Sequence, residues 1–205
     1  MIVEDSHFEY LKLQRGALHD LSGDRAAWCA AYEASLEQDL ASMRPFLPEH
    51  CRVLLDVGSG LGGIDVLLNR HYGGGVHVRL LDGLADAPLV RQHRETYNHM
   101  AVAADFQHKN GVEYLGCYSV NHGLAPPAAD GLAYDLVVSL ASWCFHYPPS
   151  DYLSFVAARC HAATVLILDV RADKPLWRGE LADTFREVGC ALSRRKFNRL
   201  VFHVR

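Results

Sequence analysis

The chain has 205 residues, 50% hydrophobic and 21% charged, a balance that suits one globular domain with a buried core and leaves little room for a second. Its 20 basic and 24 acidic residues give a net charge of −4, so no overall positive field draws in nucleic-acid phosphates. The N-terminus has neither a positive start nor a long apolar stretch, and no window approaches the ~18 apolar residues of a membrane span, which points to a soluble, cytoplasmic protein.

Residues 24–44 space Trp28, Tyr32, Leu36 and Leu40 four apart, then Met43, with Glu33, Glu37, Gln38 and Ser42 on other faces. That spacing predicts an amphipathic helix, with Asp24 as N-cap and Pro45 and Pro48 as its stop. From residue 51 the pattern changes. Short apolar runs at 51–57, 76–82, 112–120, 134–141 and 164–170 alternate with helical stretches, and strands apolar on both faces predict a parallel sheet covered on both sides. The intervening helices are predicted at 61–75, ended by three glycines, and at 97–111, closed by Asn110-Gly111. Two more are predicted at 149–161, entered through Pro148 and Pro149 with Ser150 as a cap, and at 175–189, stopping at Gly189.

Residues 190–205 read as two strands around Lys196 to Arg199, an antiparallel hairpin. The whole predicts an α/β fold: a doubly wound, mostly parallel, seven-stranded sheet ending in an antiparallel hairpin, with helices on both faces and one extra N-terminal helix. Residues 1–48 form a helical segment packed on the core, and 49–205 the ligand-binding domain. The loop 121–133, rich in Pro, Gly and Ala, falls at the carboxyl end of a strand, where open α/β sheets bind ligands.

The six cysteines are far apart with no C-x-x-C pair, which predicts reduced thiols rather than disulfides or a zinc site. The twelve histidines include no H-x-x-x-H and no H-E-x-x-H, so they read as scattered surface and loop residues and no metal is expected.

The chemistry is concentrated in "LLDVGSGLGGID", residues 54–65. Gly58, Gly60 and Gly63 satisfy G-x-G-x-x-G, a dinucleotide signal; Gly58, Gly60 and Gly62 also satisfy G-x-G-x-G. Asp56, two residues before the first glycine, favours the second register, because a pyrophosphate would meet unwanted negative charge there and a cationic ligand would not. The closing hairpin likewise is not the ending of a two-half dinucleotide domain.

In "VLLDVGSGLGG", the acid-terminated second strand "VRLLDG", the fourth strand "YDLVVSLAS" and the terminal hairpin, the sequence resembles the class I S-adenosylmethionine-dependent methyltransferases from about residue 24 to the end. The resemblance implies S-adenosylmethionine as cofactor, with the backbone of Gly58, Ser59, Gly60 and Gly62 approaching its methionine part and Asp56 near its amino group. It implies Asp82 as the acceptor for both ribose hydroxyls and Leu140, beyond the fourth strand, as a further cofactor contact. Many members carry an acid after the third strand for the adenine amino group; here Asn121 is the candidate, through its carbonyl.

Methyl transfer from a sulfonium is an in-line displacement, so a protonated nucleophile must be aligned and deprotonated. The catalytic group is expected in the loop after the fourth strand, where Ser142, Trp143, His146 and Tyr147 stand and His146 is the strong base. The alternative for His146 is packing between Phe145 and Tyr147. "YPPS" at 147–150 lacks the flanking residues of the amino-methyltransferases of nucleic-acid bases, and Cys144 lacks the Pro-Cys pair of the cytosine-C5 enzymes. The expected activity is therefore methylation of oxygen or nitrogen on a small molecule, a sugar or specialised metabolite. A nucleic-acid or protein methyltransferase would need a basic surface, for which "RRKFNR" at 194–199 is the candidate, and a nicotinamide-dependent reductase or non-catalytic nucleotide-binding module is the alternative from another class.

Overall fold

The computed structural model describes residues 1–14, 24–82, 100–119 and 131–205. Helix α1 (Asp5–Gln14) precedes α2 (Arg25–Met43), so the described part of the N-terminal segment contributes two α-helices where the sequence predicts one. The side chain of Asp24 accepts from the amides of Ala26 and Ala27 and caps α2, whose Trp28, Tyr32, Leu36, Leu40 and Met43 are all buried, as their spacing requires. Helix α1 docks on α4 (Met100–Lys109), with His7 2.9 Å from Asp105 and edge-on to Phe106.

The core is a seven-stranded sheet of β1 (Val53–Val57), β2 (His77–Asp82), β3 (Glu113–Ser119), β4 (Tyr134–Ser139), β6 (Cys160–Arg171), β7 (Phe185–Ser193) and β8 (Phe197–Val204), in the order β3-β2-β1-β4-β6-β8-β7. Strands β1 to β4 and β6 run parallel, and β8 enters antiparallel between β6 and β7. The order reverses between β1 and β4, which makes the carboxyl ends of those two strands the switch point of the sheet. Leu54 packs with α2 and with α3 (Gly63–His71) on one face, Leu55 and Val57 with α5 (Leu153–Ala157) on the other, which is why the strand sequences are apolar throughout.

Four expectations are corrected. Helix α6 (Pro175–Thr184) ends five residues before Gly189, because 185–189 belong to β7. The predicted helix at 149–161 reduces to a 3₁₀ turn at Pro149–Asp151 and the short α5, Ser150 makes no cap, and Cys160 already pairs with Tyr134. The segment after β4 is not a loop: Ser142–Tyr147 form an extended strand, β5, outside the seven-stranded sheet. The hairpin turn itself lies at 194–196, and Arg199 falls within β8.

All six cysteines are free. Among the described residues no helix is long and apolar enough to cross a membrane, and no cluster of His, Cys, Asp or Glu is arranged to hold a metal ion.

Candidate functional site

At the end of β1 the chain turns through three left-handed glycines, Gly58, Gly60 and Gly62, with φ of 75°, 59° and 71°. These are the positions of the G-x-G-x-G register, where a Cβ would strain the backbone. Gly63, which completes the other register, is required for a different reason: a Cβ there would lie 2.1 Å from the Tyr32 hydroxyl of α2. The loop is held by hydrogen bonds from the Gly58 amide to the Leu81 carbonyl (2.7 Å), from the Gly62 amide to the Ser59 carbonyl (2.8 Å) and from the Gly60 amide to Asp82 Oδ2 (2.7 Å). Asp82, at the end of β2, thus faces the loop, and its carboxylate has further lone pairs.

Asp56 is 2% exposed, in register between Leu80 of β2 and Val138 of β4. Beneath it lies Asp65, in the first turn of α3 and fully buried. Both carboxyls are held well above the ordinary range, by burial first and then by neighbouring carboxylates, Asp82 acting on Asp56 and Asp56 on Asp65. Gln107 of α4 reaches under the loop and donates to the carbonyls of Leu61 (2.9 Å) and Gly62 (2.8 Å). Neither Asp65 nor Gln107 is singled out by the sequence, since Asp65 reads as an ordinary first-turn acid and Gln107 is a neutral residue 45 positions from its partner.

The opposite wall is the turn after β4. Ser139 Oγ donates to the Val57 carbonyl (2.7 Å) and accepts from the Trp143 amide (2.9 Å), tying the turn to the end of β1. Within it Ala141 and Cys144 have positive φ, 56° and 66°, and the Ala141 amide donates to Asp169 of β6 (3.1 Å). This brings Ser142 over the loop: a Cβ on Gly58 would fall 1.7 Å from Ser142 Oγ and 2.1 Å from Ser142 Cβ. Gly58→Ala is therefore expected to lose the ~1–2 kcal/mol of a left-handed alanine plus the cost of displacing Ser142. Adding Ser142→Gly should recover the second part, and denaturant unfolding of the single and double variants tests it; an equal loss in both would show that Ser142 does not bear on the loop.

Ser59 stands in the loop with its hydroxyl buried and without a hydrogen-bond partner among the described residues, and half-buried Leu140 follows β4 directly. His146 is exposed on β5, in edge contact with Phe145 (4.8 Å between ring centres) and farther from Tyr147 (6.4 Å). Burial and the nearby Arg171 hold its imidazole below the ordinary 6.5. Asn121 lies outside the described residues.

No protein-family model matches the chain, and no curated protein matches it in sequence. Among solved structures the chain is similar to a ribosomal protein L11 methylase from Lactobacillus delbrueckii subsp. bulgaricus, at 15% identity and a TM-score of 0.56 over 80% of this chain and 75% of that one. It is also similar to a mutant of MtNAS in complex with S-adenosylmethionine (16% identity, TM-score 0.56, 95% and 73% covered). An O-methyltransferase family protein from Burkholderia thailandensis gives 14% identity and a TM-score of 0.52 over 94% and 63%. With the strand order and the antiparallel closing hairpin, these likenesses show that the chain has the Rossmann-like fold of the class I S-adenosylmethionine-dependent methyltransferases.

Proposed function

We propose that the protein is an S-adenosylmethionine-dependent methyltransferase acting on an oxygen or nitrogen of a small molecule. The observation that carries the reading is the loop of three left-handed glycines set against two acids, Asp56 and Asp82, at the switch point of the sheet. Asp56 and Asp65 make no ion pair among the described residues, so the buried end of the site holds acids that lack a positive partner. That suits a cationic amino acid and repels a pyrophosphate. The MtNAS complex with S-adenosylmethionine and the O-methyltransferase relative agree with this choice.

In this reading the Asp56 carboxylate takes the ammonium of the cofactor, Asp82 the ribose diol, and the backbone of Gly58, Ser59, Gly60 and Gly62 lies against the methionine part, with Leu140 and Asn121 as further contacts. The cofactor supplies a methyl group made electrophilic by the sulfonium. His146, neutral at pH 7 because its proton affinity is lowered, is the group that takes the acceptor's proton. A small acceptor fits the surface charge. Arg199, one of the basic residues of 194–199, is buried, which leaves Arg194, Arg195 and Lys196 at a hairpin tip and weakens the basic patch that a nucleic-acid substrate would need.

S-adenosylmethionine and S-adenosylhomocysteine are each expected to stabilise the protein, by about 2.7 kcal/mol at 100 times the dissociation constant, and NAD and NADP are expected to leave it unchanged. A thermal-shift panel of the four compounds decides; a shift with NAD or NADP alone would overturn the reading in favour of a reductase.

A further inference from the structure

The two acids beneath the glycine loop are buried side by side, with no base among the described residues to neutralise them. Asp56 is 2% exposed and Asp65 fully buried. Among the described residues no donor gives a hydrogen bond to either oxygen of Asp65. The nearest candidate, the Gln107 amide, already directs both hydrogens to the carbonyls of Leu61 and Gly62. A carboxylate in that position would be unsolvated and unbonded, and the field of the α3 N-terminus falls well short of that cost. Among the described residues the side chain placed to pair with Asp65 is Asp56, and two carboxyls can hydrogen-bond only when one keeps its proton.

We propose that Asp65 is carried as the neutral acid and donates its proton to the Asp56 carboxylate, so that the base of the loop holds one negative charge, matched to a single ammonium group. The ligand half of this inference rests on the function proposed above; the proton half does not. Asp65 is a positioning residue: it fixes one oxygen of Asp56 and leaves the other for the ligand. Among the described residues the groups around the pair are Asp82 from β2, which adds a like charge, Val138 from β4, Gln107 from α4 and the Tyr32 phenol of α2 against Gly63, and none of these is basic. With an ammonium in place the group of three is electrically neutral, whereas two ionised acids would leave a net charge buried.

The same chemical change at the two positions should therefore have different effects. Asp65→Asn keeps a donor to Asp56 and is expected to bind S-adenosylmethionine within about threefold of the wild type, while Asp56→Asn loses the ammonium's partner and should bind about 10- to 100-fold more weakly. The folded pair retains a proton on Asp65 that the unfolded chain releases above about pH 4, so this contribution falls as pH rises. Asp65→Asn removes this dependence and should gain in Tm over the wild type by an amount that grows from about pH 5 to pH 8, whereas Asp56→Asn leaves Asp65 buried and neutral and should keep the pH dependence of the wild type.

Calorimetric titration with S-adenosylmethionine and thermal unfolding across that pH range, on the full chain and both variants, test the proposal. Equal losses of affinity, a Tm difference between Asp65→Asn and the wild type that does not change with pH, or failure of Asp65→Asn to fold would each overturn it. If the wild type itself does not bind S-adenosylmethionine, the proposed function fails, and the pH dependence of Tm still decides where the proton lies.

Discussion

Replacing Arg199 with alanine is expected to cost about 3–5 kcal/mol, a large part of the ~5–15 kcal/mol that holds a domain of this size folded. The guanidinium is 2% exposed and clamps Asp169 of β6 through both of its oxygens, at 2.7 and 3.0 Å. Its third nitrogen reaches α2, 2.9 Å from Asp39 Oδ1 and 2.9 Å from Ser42 Oγ. One side chain on β8 therefore joins α2, strand β6 of the sheet and, through Asp169, the Ala141 amide of the strained turn. Truncation leaves Asp169 buried without a counter-charge, and that uncompensated carboxylate, rather than the lost attraction, is the main cost.

Burial already holds the Asp169 carboxyl above its ordinary value against the pull of Arg199. Without Arg199 the folded-state value rises further, so the penalty is full at neutral pH and shrinks as pH falls and Asp169 protonates. Urea unfolding at pH 7 and at about pH 5 measures both the size and the sign. A loss below about 1 kcal/mol at pH 7 would mean that the ion pair is dispensable. Arg199→Lys should recover only part, since a single ammonium cannot reach Asp169 twice and Asp39 as well.

Arg199 also marks where the sequence stops being informative. In "RRKFNR" it is indistinguishable from the solvated basic residues beside it, and only the pairing of β8 with β6 places it opposite Asp169. The segment 185–189 fails for a related reason. Its inward positions in β7 are Phe185, Glu187 and Gly189, which do not read as a hydrophobic alternation. Glu187 is bonded to Arg178, and Gly189 lies against Phe46, where a Cβ would come within 2.8 Å. Tertiary partners supply what the local pattern lacks.

By contrast, the turn at the glycine loop was legible because its spacing is local and each glycine answers a backbone demand. The parallel strands were legible because burial on both faces forces them to be apolar. The turn at 141–144 was not, since its left-handed residues are Ala141 and Cys144, which announce nothing. Their conformation is imposed from outside, by Asp169 and by the Ser139 bridge between Val57 and Trp143.

That turn sets the terms for the last expectation. His146→Ala should lower turnover about 10²–10⁴-fold with cofactor affinity unchanged, if the imidazole removes the acceptor's proton. Ser142 marks the point where the turn meets the glycine loop, and His146 lies four residues along β5, up to about 13 Å away at the rise of an extended strand. A direct role therefore needs an acceptor that spans part of that distance, which a sugar-sized molecule does. The imidazole is exposed and its proton affinity is lowered by partial burial and by Arg171, so it is neutral and ready to accept a proton at pH 7. Wild-type turnover should fall only below the ordinary value of 6.5, as protonation removes the base, and that acid limb should disappear in the variant. If instead the ring serves only to pack against Phe145, the variant keeps both its turnover and its acid limb and loses thermal stability. Measuring rate against pH and Tm on the same folded variant separates the two, and retained turnover with an unshifted acid limb would end the general-base assignment.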